Sequence, residues 1–329
     1  MKPVVVIHGG AGAVSRGTAS PALEHEYHAA LQRILTSAQA VLAQGGSALD
    51  AVSVAVTGLE DCPYFNAGHG AVLTSDATHE LDAAIMDGAT LRCGSIANVH
   101  HVRNPVLLAR MVMERSRHVF FVGEGAERFA RANGVTLVER DYFTTPARLE
   151  QLRRAQHEAA DGADSDGQGQ PILAGRPTRP ADSNEPIDPD RKFGTVGAVA
   201  LDADGNLAAA TSTGGITNKQ VGRVGDAPVI GAGTYANNAT CAVSCTGTGE
   251  MYIRMVAAYD VAARMQYAGA TLAQAADAVM FEALPSVGGK GGLIAVDQHG
   301  NIALPFNTDR MYRGYARLGE HPVTEIYPT

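Results

Sequence analysis

Apolar residues recur at helical spacing across residues 23–43, at Leu23, Tyr27, Leu31, Ile34, Leu35, Ala38 and Leu42. That period makes one apolar stripe, which predicts an amphipathic helix lying on a sheet. Gly45-Gly46 ends it, and Ser47-Ala48-Leu49-Asp50 has capping-box spacing for a second helix through residue 56. Short apolar runs bounded by turn residues predict strands at 4–7, 71–74, 80–86, 91–99, 118–122, 196–201, 207–213, 292–296 and 301–305. Helical patterns fall at 105–115, which has Pro in its first turn, at 123–133, which Gly134 closes, and at 149–159, 251–265 and 272–284. Similar blocks of strands and helices thus lie on either side of one long interruption. Residues 155–194 are mostly Asp, Gly, Gln, Pro, Ser and Ala, with few large apolar side chains. Such composition cannot offset the entropy of ordering, so the segment reads as a flexible linker. A structureless loop of that length inside a domain is uncommon and usually functional.

Directly after the linker comes Gly194-Thr195-Val196-Gly197, opening a buried strand. A Gly-Thr bond at the seam between loose chain and buried strand predicts cleavage there, leaving Thr195 as a new amino terminus. A Thr hydroxyl needs a base to become a nucleophile, and a terminal α-amine can be that base. Its unperturbed pKa of about 7.7–8.0 is close to working pH. The plainer reading of Thr195 is a β-branched residue starting a strand. The short turn at residues 202–205 makes 196–201 and 207–213 a hairpin, which returns Thr213 beside Thr195.

Near the start, the 4–7 strand runs into His8-Gly9-Gly10-Ala11-Gly12-Ala13, a Gly-rich turn whose N–H groups suit an anion and which looks like the oxyanion element of esterases. A tight turn that needs Gly is the equal alternative. Asp82 on a strand and Asp87 in a turn read as solvent-facing or turn residues rather than a catalytic pair. His100-His101 are neighbours on opposite faces of a strand, so they are structural rather than a metal site.

Net charge of −8, with no cluster of Lys and Arg, argues against nucleic acid as a partner. No apolar stretch is long enough to span a membrane. Four cysteines, Cys62, Cys93, Cys241 and Cys245, match no zinc spacing and read as free thiols. With no secretion signal in view, a cytoplasmic location is expected. Cys241 and Cys245 would share one face of a strand.

Four blocks downstream of Thr195 follow in order: Thr211-Ser212-Thr213-Gly214-Gly215-Ile216-Thr217-Asn218-Lys219, Gly222-Arg223-Val224-Gly225-Asp226, Gly231-Ala232-Gly233-Thr234-Tyr235-Ala236-Asn237-Asn238 and Ser244-Cys245-Thr246-Gly247-Thr248-Gly249-Glu250. Together with the His8-Gly9-Gly10 block, the chain resembles the isoaspartyl peptidase/L-asparaginase (plant-type asparaginase) family of N-terminal nucleophile hydrolases, over essentially its whole length. The resemblance implies an α+β fold, a four-layer αββα sandwich, in one structural domain. It implies self-cleavage between Gly194 and Thr195, giving an alpha subunit (1–194) and a beta subunit (195–329), paired as a homodimer of processed protomers. It implies hydrolysis of L-asparagine and β-aspartyl dipeptides to aspartate through an acyl-enzyme on Thr195.

Further roles follow from the same resemblance. Thr213 would tune Thr195, and Thr246 with the Gly247 N–H would form the oxyanion hole. Arg223 would bind the substrate α-carboxylate and Asp226 its α-ammonium, with Thr246, Gly247 and Gly249 also touching substrate. Taken alone, Arg223 and Asp226 read as an exposed loop ion pair, and Thr246-Gly247 as a helix cap. No cofactor serves catalysis, but main-chain carbonyls of Leu59, Glu60, Cys62, Phe65, Ala67 and His69 would hold a structural sodium ion. Asn66 would help position the nucleophile. The alternatives are a glycosylasparaginase-like hydrolase of the same family and a non-enzymatic amino-acid-binding relative. A serine esterase would need Gly-x-Ser-x-Gly, which the chain lacks.

Overall fold

The structure, a computed structural model, describes residues 2–12, 20–163 and 194–328; side chains of residues 159–163 are outside that description. Ala13 and residues 164–193 of the expected linker therefore lie outside the described residues. Chain order runs through β1 (Val4–Gly12), α1 (Pro21–Ala43), α2 (Ala48–Glu60), β2 (Leu81–Asp87), β3 (Cys93–Val99), α3 (Pro105–Arg115), β4 (Phe120–Val122), α4 (Gly123–Ala132) and α5 (Pro146–Ala163). After the linker come β5 (Val196–Leu201), β6 (Leu207–Thr213), β7 (Thr234–Ala236), β8 (Cys241–Gly247), α6 (Gly249–Met255), α7 (Ala257–Ala268), α8 (Leu272–Ala278), β9 (Gly291–Asp297), β10 (Ile302–Ala303), β11 (Arg310–Arg317) and β12 (Val323–Glu325). The fold is α+β.

Local chemistry explains the predicted elements. Ser20 caps α1, with its hydroxyl accepting the Leu23 N–H, and the apolar stripe from Tyr27 to Leu42 is buried. Ser47 and Asp50 close the expected capping box on α2, which runs on to Glu60. β5 and β6 form the expected hairpin, paired from Val196↔Ser212 to Leu201↔Leu207. They occupy the middle of an eight-stranded sheet ordered β12-β11-β1-β5-β6-β2-β3-β4, antiparallel except for the β3–β4 pair. A four-stranded antiparallel sheet runs β10-β9-β8-β7.

Three buried apolar clusters separate these elements. Leu31, Leu35, Val52, Val56 and Leu108 of α1–α3 pack on Val5, Ile7, Ile85 and Ala198 of the large sheet. Val4, Val6 and Val199 meet Ala242, Ile294 and Val296 between the sheets. Val243, Cys245 and Leu293 meet Val261, Ala275 and Ala276 beyond the small sheet. Cys241 and Cys245 share this third cluster, and all four cysteines are free thiols.

Several expectations change. The Gly-rich block after Ile7 continues β1 to Gly12 with a bulge between His8 and Gly10, rather than turning. Residues 71–74 contribute one isolated bridge, Thr74↔Lys219, because the chain there wraps the 216–219 turn. The 251–265 helix is two, broken at Val256, whose φ of 50° is left-handed. The 272–284 helix passes into a π turn at Val279–Ala283. Helix α5 reaches Ala163, so the start of the expected linker is helical. Asp82 is fully buried, because both faces of β2 are covered from Leu81 to Met86 and only Asp87 at its end is partly exposed. Among the described residues no helix is long and apolar enough to cross a membrane.

Candidate active site

Thr195 precedes β5 and Thr213 ends β6, so the hairpin brings the two side chains together. Thr195 Oγ1 donates to Thr213 Oγ1 at 3.2 Å. Thr213 Oγ1 also accepts the Gly215 N–H at 2.9 Å, which leaves its own proton to reach the Gly194 carbonyl at 3.5 Å. Both threonines are buried. Asn66 frames the other side: its Nδ2 donates to the Gly215 carbonyl at 2.7 Å, and its Oδ1 accepts the Val72 N–H at 2.8 Å. A Cβ on Gly194 would lie 3.1 Å from Asn66 Cβ.

The small sheet supplies the opposite wall. Thr246, near the end of β8, accepts N–H bonds from Thr195 and Ala11, each at 3.3 Å, through its Oγ1. Gly247 follows with φ +156°, and a Cβ there would come within 2.2 Å of the Lys290 carbonyl oxygen. Only glycine fits. The same segment then reaches the charged pair. A Cβ on Gly249 would meet Asp226 Oδ1 at 2.9 Å and Arg223 Nη2 at 3.0 Å, so this backbone lies against both side chains. Residues 246–250 therefore touch Thr195 at one end and Arg223 and Asp226 at the other.

Arg223 and Asp226 do not form the loop ion pair that their spacing alone would give. Arg223 Nε donates instead to Glu250 Oε1 at 2.9 Å, leaving the Nη1/Nη2 edge of the fork. Burial alone would raise the Glu250 carboxyl, but the Arg223 guanidinium outweighs it and holds the group below its ordinary value. Asp226 is 3% exposed, and its Oδ2 has no hydrogen-bond partner among the described residues. Burial pushes its pKa up to about 7, against the pull of Arg223. A buried carboxylate oxygen without a donor costs free energy until a cation or N–H arrives. An incoming ammonium would meet that need.

His8 lies close to Thr195. Its Nε2 contacts Ser244 Oγ at 2.9 Å, and Ser244 continues to Thr211 at 2.7 Å and Thr234 at 2.6 Å beyond. Burial drives the His8 pKa down to about 3, partly opposed by the Thr195 backbone, so the ring is neutral. Gly197 leaves room for this contact; a Cβ there would sit 2.0 Å from Ser244 Oγ and 2.5 Å from His8 Nε2. His8 is thus a buried structural polar group next to the site.

At the end of α2 and in the loop after it, the carbonyls of Leu59, Glu60 and Cys62 accept N–H bonds from Cys62, His69 and Phe65, at 3.3, 2.7 and 3.3 Å, so the expected loop begins only after Glu60. A carbonyl oxygen has two lone pairs and can also face a hard cation, although Leu59 accepts the Asp61 N–H as well. His69 turns its Nδ1 to the Tyr142 carbonyl at 2.6 Å, so its side chain faces away from that duty. His100 and His101 bond the carbonyls of His79 and Val138, as structural residues do. Among the described residues no cluster of His, Cys, Asp and Glu could hold a metal ion.

A fold with Thr195, Thr213 and Thr246 gathered at the seam of two stacked sheets defines a hydroxyl-centred site preceded by a Gly-Thr bond. The asparaginase family profile matches residues 1–326, and the chain belongs to that family. An isoaspartyl peptidase of Escherichia coli is 56% identical over 326 residues, covering 99% of this chain and 96% of its own length. An isoaspartyl peptidase of Salmonella typhimurium is also 56% identical, covering 99% of both chains. The isoaspartyl peptidase/L-asparaginase of Homo sapiens is 39% identical over 321 residues, covering 97% of this chain and 95% of its own.

Proposed function

We propose that this chain is an N-terminal threonine amidohydrolase that cleaves L-asparagine and β-aspartyl dipeptides to aspartate after cutting itself between Gly194 and Thr195. One observation carries the reading: Thr195 Oγ1 lies 3.2 Å from Thr213 Oγ1 while its own nitrogen lies 3.3 Å from Thr246 Oγ1. In maturation, Thr195 Oγ attacks the Gly194 carbonyl carbon and its proton passes to the Thr195 nitrogen as the C–N bond breaks. Water then hydrolyses the ester, releasing the Gly194 carboxylate and the Thr195 amine. In turnover that amine takes the Thr195 hydroxyl proton. The oxygen attacks the substrate's side-chain carbonyl, and Thr246 Oγ1 with the Gly247 N–H carries the oxyanion. Ammonia or the amino-acid amine leaves, and water frees aspartate from the ester.

Arg223 offers its Nη1/Nη2 edge to the α-carboxylate, a bidentate contact that Lys cannot copy. Asp226 takes the α-ammonium, and the backbone at Gly249 closes over both. The three apolar clusters support a four-layer αββα sandwich of the N-terminal nucleophile hydrolase type. The same reading has the alpha (1–194) and beta (195–329) chains remain one domain, with two processed protomers forming a cytoplasmic homodimer. A sodium ion held by the carbonyls of Leu59, Glu60, Cys62, Phe65, Ala67 and His69 would brace the loop bearing Asn66, with no part in the chemistry.

Intact mass and substrate hydrolysis test the reading together. The purified protein should give two chains, the smaller beginning at Thr195, and release aspartate from both substrates. Thr195→Ala should stay a single chain without activity. Thr195→Ser should cleave and keep reduced activity, since the hydroxyl persists without the methyl that restricts χ1. Aspartate release by an uncut Thr195→Ala chain would refute the nucleophile assignment.

A further inference from the structure

Behind the proposed substrate pocket, residues far apart in sequence form an ion pair out of solvent. Lys219 Nζ lies 3.5 Å from Glu80 Oε2, with side chains 0% and 1% exposed. A buried pair is weak evidence for stability, because desolvating two charges opposes their attraction. Its connections point elsewhere. At one end, both Glu80 carboxylate oxygens accept the Gly222 N–H, at 3.1 and 3.0 Å, and Gly222 immediately precedes Arg223. The Asn98 amide nitrogen, turned as its surroundings require, lies 3.2 and 3.0 Å from the same oxygens.

At the other end, Lys219 Nζ donates to the Glu80 main-chain carbonyl at 3.1 Å. Its aliphatic stem folds under Gly215, where a Cβ would come 2.8 Å from Lys219 Cδ and 3.0 Å from Nζ. Gly215 in turn donates its N–H to Thr213 Oγ1, the partner of the nucleophile. The turn between is tied down from outside, with Ser75 N–H on the Lys219 carbonyl at 2.8 Å and Asn218 N–H on the Leu73 carbonyl at 2.9 Å. Asp82, whose position on β2 pairs with Thr213, also faces Lys219; burial raises its carboxyl pKa and the Lys219 charge pulls against that rise. One arm of this device reaches the nucleophile and the other reaches the fork that would hold substrate.

We propose that Glu80 and Lys219 are positioning residues that set the spacing between Thr213 and Arg223, and thereby the selectivity for substrates carrying an α-carboxylate. The inference rests on the roles given above to Thr195 and Arg223. Its measure is the kcat/KM ratio for L-asparagine over β-alaninamide, which has the same amide and amine but no α-carboxylate. The wild type, Glu80→Gln and the double variant Glu80→Gln/Lys219→Met are compared. Glutamine keeps the volume of Glu80 but offers one acceptor oxygen in place of two, and the double variant leaves no unpaired lysine beside it.

The expected result is a ratio reduced at least about tenfold in both variants, as a misplaced guanidinium forfeits a charge-assisted bidentate contact. A merely structural defect lowers both substrates together, and an unchanged ratio overturns the proposal. Variants that fold but do not cut themselves assign the pair to maturation, and variants that do not fold assign it to stability; either result also overturns it. A wild type that hydrolyses neither amide, or shows no preference for L-asparagine, refutes the reading of the site itself, a separate failure.

Discussion

Asp226 combines full burial, an unpartnered oxygen and a pKa pushed up to about 7 by that burial. To receive an α-ammonium it must be ionised. As pH falls through about 7 the free enzyme protonates there, and kcat/KM for L-asparagine falls with it. Under the proposed mechanism the Thr195 amine, which would have to be neutral to act as base, supplies a second loss on the same side. The wild-type plot of log kcat/KM against pH should therefore steepen toward a slope of about two in acid. Asp226→Asn should lower kcat/KM at every pH and reduce the acid slope to about one. A variant that keeps the steep limb would assign it to another group. The sequence singled out Asp226, Arg223 and the three threonines, which the fold brings together, because they stand in ordered Gly- and Thr-rich blocks. Glu250 was not, since its contact with Arg223 joins the first turn of α6 to a distant loop and leaves no spacing signal. Asp82 read as solvent-facing or a turn residue because a polar residue in a strand normally marks a wet face. Covering both faces of β2 removes that rule.

At the scale of elements, the large sheet and the strand β8 meet through His8 of β1 and Thr211 of β6, both on Ser244, and the meeting depends on Gly197. Ala at 197 would place a carbon 2.0 Å from Ser244 Oγ, 2.5 Å from His8 Nε2 and 3.0 Å from the Ala210 carbonyl oxygen. The sheets must separate to admit it. Gly197→Ala should cost about 1–3 kcal/mol, as overpacking does. Because Thr246 shares β8 with Ser244, self-cleavage should slow as well. A denaturant midpoint and a time course of intact mass measure the two effects, and wild-type values for both would show that the sheets are not in register contact here. Elements with a clear apolar period, such as α1, α2 and the hairpin, were legible. The strand Arg310–Arg317 was not, because Arg310, Arg313 and Arg317 mask its alternation. Arg313 is nevertheless buried, with its Nη2 held by Glu325 and the Tyr327 carbonyl while its Nε has no partner among the described residues. The break at Val256 was also hidden, since a β-branched residue carries no left-handed signature.

Across the whole molecule, buried titratable groups give stability two opposing pH dependences. His8 and His79 are held neutral, with pKa values lowered by burial to about 3 and about 4. Each is protonated only in the unfolded chain between those values and about 6.5, so stability falls as pH drops below about 6.5. Glu60 works the other way. It ends α2 fully buried, with its Oε1 accepting the Val106 N–H at 2.9 Å, and burial pushes its pKa up to about 8. From its unfolded value upward the folded state binds more protons than the unfolded one, so stability declines until the pH passes about 8. Asp226 adds a slope of the same sign up to about 7. Glu60→Gln copies the shape of the protonated carboxyl, keeps an acceptor for Val106, and removes its own share of the decline. From about pH 7.5 to about pH 8.5 the two histidines are neutral in both states, so this window isolates the carboxyls. Wild type and variant should melt within about 1 °C of each other near pH 4, where the Glu60 side chain is largely neutral in both folded and unfolded chains. By about pH 8.5 the variant should be the more stable by about 2–4 kcal/mol. A wild type whose melting temperature stays level with the variant across that window would mean that Glu60 is ionised in the folded protein, stabilised by the Val106, Ser212 and Asn104 contacts that oppose burial.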